Sequence, residues 1–185
     1  MKTQTPAQQK QLQYMKPYLH HWAGDGASSL AASSDDRQIV RDAGRNRAAP
    51  HIKTYARFSD STQQTIDWML VTSANLSKQA WGDAVSSAGE VRVCSYEIGV
   101  LVWPALWGED AIMVPAFKSD VPNVNDVEVI GGCADEGGEE GKRRLVVGAR
   151  MPFDLPLVKY EPGDEPWCAT KSYTEPDWTG QPYMV

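Results

Sequence analysis

Apolar residues recur along this chain with two different periods, which predict two kinds of element. Within residues 10–22 the apolar side chains are spaced by three and four, on one face of a helix: Leu12, Met15, Leu19 and Trp22. Pro17 interrupts this pattern and lacks the backbone N–H that a helix interior needs. We therefore predict a short or broken helix here.

Two later segments predict β-strands. Residues 51–58 alternate weakly between apolar and polar, and a polar connection of hairpin length follows them. Residues 65–72 (TIDWMLVT) are apolar enough to predict a strand buried on both faces. Asn75 and Ser77 then offer capping side chains for a short helix over residues 78–81. Residues 92–103 are rich in β-forming residues and predict one bent strand or two.

The other segments lack such periods. Residues 23–49 are small, polar and glycine-containing, which predicts a long loop. Residues 120–144 contain GGCADEGGEEG, an acidic, glycine-rich composition that predicts a flexible surface insert. The proline-rich tail from Met151 is expected to run extended over the surface, anchored by Trp167, Trp178 and Tyr183. Together these elements predict one α/β domain over residues 1–185, with a mixed sheet flanked by helices.

The distribution of charge is more informative than its sum. The net charge of −6 argues against broad nucleic-acid binding through a basic face. Residues 37–57, however, carry six lysines and arginines against one acidic residue, and the acidic residues collect later in the chain. The local field around residues 37–82 therefore differs from that of the whole chain. The arginines of residues 37–47 either line a phosphate path or belong to a solvated loop.

Cysteine usage and apolar runs exclude several classes of protein. The three cysteines lie far apart without CxxC spacing, and there are only three histidines, so we expect no disulfide framework and no metal site. We expect Cys94 to be a small buried hydrophobe. The longest apolar run, residues 98–107, is shorter than the roughly 20 residues of a membrane-spanning helix. The polar residues 1–13 predict no secretory signal, so a reduced compartment, cytosol or nucleus, fits best.

One constellation suggests chemistry. His51 and Lys53 are two residues apart, which on a strand places both side chains on one face. Asn75 lies just past the end of the next predicted strand. If the two strands are neighbours, imidazole, ammonium and amide converge at one edge. A neutral imidazole can attack phosphorus or shuttle a proton, and the other two groups can hold phosphoryl oxygens. These are the groups that metal-free phosphoryl transfer needs. The alternative is an ordinary H-x-K pair on a strand without a chemical role, which the position of Asn75 after a buried strand disfavours.

The motifs PHIKTY, LVTSANLSKQAWG and SYEIGVL resemble the carboxy-terminal half of the eukaryotic tyrosyl-DNA phosphodiesterase family, within the phospholipase D superfamily. The resemblance covers most of the chain, including YLHHW and MPFDLPLVKY. The wider superfamily has an aspartate where this chain has Phe58, and its absence is a feature of the tyrosyl-DNA phosphodiesterase branch.

The resemblance implies a pseudo-dimeric, cofactor-independent nuclear enzyme with one His-Lys-Asn set from each half. A histidine of the first half would attack the 3′ phosphodiester of a topoisomerase I-derived tyrosyl or peptide adduct on DNA. His51 would protonate the leaving tyrosine and then activate water, while Lys53 and Asn75 bind the phosphate. Glu97 matches an acidic residue that hydrogen-bonds an active-site histidine, and Ser77 matches a position that contacts DNA. The alternatives are a strand-edge salt bridge for Glu97 and a plain helix cap for Ser77.

The chain departs from the family in containing a single H-x-K motif, so the amino-terminal half with its nucleophile is missing. Three readings remain open: the general-acid half of such an enzyme, a non-catalytic DNA-end-binding module, or a homodimeric phospholipase D-type nuclease with its site at a two-fold axis. We expect Trp68 and Trp81 to be core or helix-packing residues rather than base-stacking platforms.

Overall fold

A computed structural model describes residues 6–22, 40–45, 51–123, 144–168, 171–177 and 179–185 of the chain. These residues form two compact units, one from residues 1–49 and 152–185 and the other from residues 50–151. The predicted long loop at 23–49 lies mostly outside the described residues, as do positions 124–143 of the predicted acidic insert. The single-domain assignment and the flexibility of the insert stay predictions.

The secondary structure is mixed α/β, as predicted, with few helices. Two helices, α1 and α2, and seven strands, β1 to β7, occur in the described ranges, with bounds α1 Pro6–Met15, β1 His20–His21, β2 Lys53–Phe58, β3 Ile66–Thr72, α2 Lys78–Trp81, β4 Gly99–Val102, β5 Ile112–Ala116, β6 Val146–Arg150 and β7 Val158–Lys159. The strands form three small sheets, β2-β3-β4, β5-β6 and β1-β7, in place of the single mixed sheet that we expected.

The larger unit is built on the antiparallel sheet β2-β3-β4 and the parallel pair β5-β6. Strand β3 packs against β5, and the core collects between them, with side chains at most 5% exposed: Ile66, Met69, Met113, Val114 and Ala116. Neither β5 nor β6 was predicted. Strand β3 is also less buried than expected, because a register irregularity opposite Arg57 turns Asp67 outwards to pair with that guanidinium at 3.2 Å.

The prediction of a strand over residues 92–96 is wrong. The amides of Cys94 and Ser95 donate to the carbonyl of Gln79 in α2, at 2.9 and 3.1 Å. Because these donors are taken by a helix, the segment cannot join the sheet, and pairing with β3 begins only at Gly99. The same arrangement leaves Cys94 exposed, so its predicted burial is also wrong.

The smaller unit joins the amino-terminal segment to the tail. Helix α1 gives way at Pro17 to a 3-10 turn, Lys16–Tyr18, and the chain then pairs as β1 with β7. The tail is less superficial than predicted, since Leu155 is fully buried. The ring of Trp167 lies 6.3 and 5.5 Å from those of Tyr173 and Tyr183, centroid to centroid. Both partners belong to the tail itself and Trp167 is 65% exposed, so its role as an anchor stays a prediction. The third predicted anchor, Trp178, lies outside the described residues.

Candidate active site at the end of strands β2 and β3

The cross-strand register brings the ends of two motifs together. Lys53, the first residue of β2, lies opposite Thr72, the last residue of β3. Asn75 follows Thr72 by three residues, and His51 precedes Lys53 by two, so all three candidate residues belong to the same end of the hairpin. His51 lies before the strand begins, and strand alternation therefore does not by itself orient its imidazole.

One residue of helix α2, Trp81, contacts the face of the hairpin that carries Lys53. Alternation along β2 places Lys53 and Tyr55 on one face. The ring of Tyr55 meets Trp81 of α2 edge to face at 5.5 Å, and its hydroxyl donates to the carbonyl of Ala74 at 3.0 Å. Lys53 and the turn that contains Asn75 thus lie on the same face and at the same end. The contact also makes Trp81 a helix-packing residue, as expected.

The turn after β3 is held by its own hydrogen bonds. The buried hydroxyl of Thr72 donates to the carbonyl of Ile98 at 2.9 Å and accepts from the amide of Ala74 at 3.1 Å. The carbonyl of Asn75 accepts from the amide of Ser77 at 2.8 Å. These bonds restrict the backbone of Asn75 and leave its side-chain amide to other partners.

The three candidate side chains are accessible. His51 and Asn75 are exposed and Lys53 is half-buried. None of the three makes a side-chain hydrogen bond or ion pair with another residue in the described part of the chain. An imidazole, an ammonium and an amide NH₂ are therefore free to bind a ligand, and all three are groups that bind a phosphoryl oxygen well.

Ser77 is the N-cap of α2, as the sequence predicted, because its hydroxyl accepts from the amide of Ala80 at 3.3 Å. Lys78, the first residue of the same helix, forms an ion pair at 2.8 Å with Asp83, two residues beyond its end. Their hydrogen bond lowers the pKa of Asp83 and raises the pKa of Lys78. The ammonium of Lys78 is thus already partnered, which leaves Lys53 as the lysine better placed to meet an anion.

Glu97 interacts with a serine and not with His51. Its carboxylate accepts a hydrogen bond from the hydroxyl of Ser73 at 2.5 Å, and that hydroxyl accepts from the amide of Ile98 at 3.1 Å. The alternative of a strand-edge salt bridge for Glu97 has no counterpart among the described ion pairs. Ser73 thus links Glu97 to the end of β3 by a hydrogen bond.

Two residues near the site were missed by reasoning from the sequence. Tyr55 holds the turn before Asn75, and Ser73 holds Glu97. Tyr55 carried a usable signal, because it is two residues from Lys53 on a predicted strand and so shares its face. Ser73 carried none, since its partner is 24 residues away and lies outside any regular element.

No group of three or more His, Cys, Asp or Glu side chains in the described ranges could hold a metal ion. Among the helices of these ranges, none has the length and apolar character needed to cross a bilayer.

Comparison with known proteins identifies the class. The family profile described as "Tyrosyl-DNA phosphodiesterase" matches residues 1–161. The chain is 41% identical over 152 residues to "Probable tyrosyl-DNA phosphodiesterase" of Schizosaccharomyces pombe, covering 77% of this chain and 26% of that protein. It is 28% identical over 185 residues to "Tyrosyl-DNA phosphodiesterase 1" of Arabidopsis thaliana, covering 96% of this chain and 27% of the plant protein. The Drosophila melanogaster protein of the same name is 31% identical over 158 residues, covering 83% and 20%.

The chain therefore belongs to the tyrosyl-DNA phosphodiesterase family. It spans about a quarter of the length of the fission yeast and plant relatives.

Proposed function

We propose that this chain supplies the general acid and base of a DNA-repair phosphodiesterase that hydrolyses 3′-phosphotyrosyl and related 3′-end adducts of DNA. The observation that carries the proposal is the cross-strand register, which puts Lys53 opposite the end of β3, at the end of the hairpin that Asn75 follows. Family membership supports the reaction class. The substrate is a DNA 3′ end that carries a tyrosyl or peptide adduct derived from topoisomerase I, and the site of action is the nucleus.

The reaction needs two histidines and no cofactor. A histidine nitrogen from the amino-terminal half of the same enzyme attacks phosphorus, a P–N bond forms, and the P–O bond to tyrosine breaks. His51 donates the proton that the tyrosine oxygen takes up. In the second step water attacks the phosphohistidine, His51 accepts a proton from that water, and the P–N bond breaks to leave a 3′ phosphate on DNA. Acid and base assistance of this kind is worth about 10²–10⁴-fold in rate.

The other candidate residues stabilise charge and position. Lys53 and Asn75 hold the non-bridging phosphoryl oxygens as negative charge builds on them. Asn75 is exposed and Lys53 half-buried, and the absence of competing partners for both among the described residues supports this role. Ser77 contacts the DNA strand in addition to capping α2. The carboxylate of Glu97, which accepts a hydrogen bond from Ser73, also accepts one from an active-site histidine.

The decisive test is His51→Arg in an intact two-half enzyme. Tyrosine is a fair leaving group, with a phenol pKa of about 10, so attack by the other histidine proceeds without a good acid. Hydrolysis of the phosphohistidine, which needs a base to activate water, then stalls. We expect a covalent protein–DNA species to accumulate, visible on a denaturing gel. His20→Arg is the matched histidine control and should accumulate none.

The isolated chain gives a second test. With a single H-x-K motif, residues 1–185 should turn over 3′-phosphotyrosyl DNA negligibly and bind phosphate or sulfate weakly. Rapid multiple turnover by a purified monomer would contradict the proposal. A His51→Arg enzyme that forms no adduct and fails to bind DNA would make His51 a binding residue and would favour a DNA-end-binding module.

A further inference from the structure

Ser73, the residue after β3, is hydrogen-bonded to the segment that carries Glu97. Its backbone N–H donates to the carbonyl of Ile98 at 3.0 Å, and its hydroxyl accepts from the N–H of Ile98 at 3.1 Å. The same hydroxyl lies 2.5 Å from Oε2 of Glu97 and donates to it. One serine therefore holds both the peptide group that follows Glu97 and the carboxylate of Glu97 itself.

The hydroxyl proton of Ser73 has two acceptors within reach, and the geometry favours the carboxylate. Oε2 of Glu97 lies at 2.5 Å and the carbonyl oxygen of Ile98 at 3.4 Å. That carbonyl already accepts from the hydroxyl of Thr72 at 2.9 Å and from the N–H of Ser73. A hydrogen bond to a charged acceptor is also shorter and stronger than a neutral one. The proton of Ser73 is therefore directed at Glu97.

The close approach of these two segments depends on Gly99. Gly99 lies opposite Thr72 in the register of β3 with β4, and a Cβ at this glycine would stand 2.6 Å from the Cβ of Thr72. A favourable contact between carbon atoms needs about 3.5–4.0 Å. Glycine thus lets the chain that follows Glu97 come near enough for Ser73 to bond to it.

The side chain of Glu97 needs such a restraint. Glu97 is exposed and lies outside the helices and strands of the described residues. Within the described part of the chain, Ser73 supplies the one hydrogen bond to its carboxylate, so Oε1 stays open to a further donor. A free glutamate side chain loses much rotamer freedom when it is fixed. Ser73 fixes it before any ligand arrives.

We propose that Ser73 is a positioning residue of the phosphodiesterase reaction: its hydroxyl holds Oε2 of Glu97 so that Oε1 meets the ring N–H of an active-site histidine. The inference rests on the proposed function, in which Glu97 accepts from such a histidine. An imidazole held in one tautomer and one orientation presents its opposite nitrogen to the reacting atoms. A group that is already in place needs no reorganisation during the reaction, so its loss lowers kcat.

A pair of substitutions with the same shape tests the hydroxyl in the intact two-half enzyme. Ser73→Val replaces the hydroxyl and should lower kcat on 3′-phosphotyrosyl DNA roughly tenfold at unchanged KM, since Ser73 acts on a histidine and not on DNA binding. Ser73→Thr keeps the hydroxyl and should stay within about twofold of the wild-type kcat. Ser59→Val is the matched control, because the hydroxyl of Ser59 also donates to a carboxylate, that of Asp67 at 2.8 Å, at the opposite end of the hairpin. It should keep the wild-type kcat.

A double-mutant cycle then separates positioning from a general structural role. Because Ser73 acts only through the carboxylate of Glu97, adding Ser73→Val to Glu97→Ala should lower kcat by a further factor of at most about two. Single-turnover kinetics should show both single variants slowing the same step, either formation or hydrolysis of the covalent species. Circular dichroism checks the fold, and Ser73→Ala, which adds no atom, is used if Ser73→Val disturbs it.

Three results would overturn the inference: a wild-type kcat in Ser73→Val, equal losses in Ser73→Val and Ser73→Thr, or a loss that multiplies with that of Glu97→Ala. Each leaves the proposed function standing if His51→Arg still accumulates the covalent species. A wild-type two-half enzyme that does not turn over 3′-phosphotyrosyl DNA refutes the proposed function, and the inference with it.

Discussion

Replacing Tyr55 by phenylalanine should loosen the turn that carries Asn75. The change removes one hydroxyl, which donates to the carbonyl of Ala74 at 3.0 Å, and keeps the ring on Trp81. A neutral hydrogen bond contributes about 0.5–1.5 kcal/mol, and a buried acceptor left without a partner moves the effect to the upper part of that range. Ala74 is only 5% exposed, so we expect a loss of about 1–1.5 kcal/mol.

Thermal unfolding of the 185-residue chain is the assay. At this chain length a loss of 1 kcal/mol lowers Tm by about 2–4 °C, so Tyr55→Phe should lower Tm by about 2–6 °C. Tyr55→Leu should lower it further, because an aromatic pair contributes about 0.5–1.5 kcal/mol beyond its buried area. Tyr96→Phe is the matched control, since Tyr96 is fully exposed. Equal Tm values for Tyr55→Phe and Tyr96→Phe would refute the assigned hydrogen bond.

Three further changes test other parts of the fold. Ser77→Ala removes the cap of α2 and should destabilise the chain by about 0.5–2 kcal/mol in urea unfolding. Gly99→Ala places a Cβ 2.6 Å from a side chain of β3 and should destabilise by about 1–3 kcal/mol in the same assay. Hydrogen bonds from the amide of Glu161 and then from His21 lower the pKa of Asp164 in the folded chain. The ionised carboxylate therefore stabilises the fold at pH values above the unfolded pKa of about 3.9. This stabilisation is lost as the pH falls through the lower folded pKa. Asp164→Asn should therefore flatten the dependence of Tm on pH below that value.

Each of these three has a control in the same chain. Ser87→Ala changes an exposed serine that caps no helix among the described residues, and should leave the urea midpoint unchanged. Gly163→Ala adds a Cβ with no atom within 4 Å, and equal losses at Gly163 and Gly99 would contradict the packing argument. Glu175→Gln alters a carboxylate outside the described ion pairs, and should keep the wild-type dependence of Tm on pH.

Long-range contacts decided the features that the sequence did not predict. The parallel pairing of β5 with β6 joins residues 112–116 to 146–150, and no local pattern specifies a partner at that separation. Residues 92–96 form no strand for a similar reason, because the amides of Cys94 and Ser95 donate to the carbonyl of Gln79, a residue of another element. The bond between Ser73 and Glu97 likewise depends on the path of the chain between them.

Local chemistry, in contrast, was sufficient for the elements around the candidate site. The apolar run of β3, the alternation in β2 and the capping hydroxyl of Ser77 act over a few residues, so the sequence by itself determined a hairpin followed by a short helix. It also determined the set of chemical groups, imidazole, ammonium and amide, at that hairpin. Only the tertiary structure decided where Trp81 of α2 contacts the hairpin and which side chains hold the turn, because these depend on contacts between segments distant in the chain.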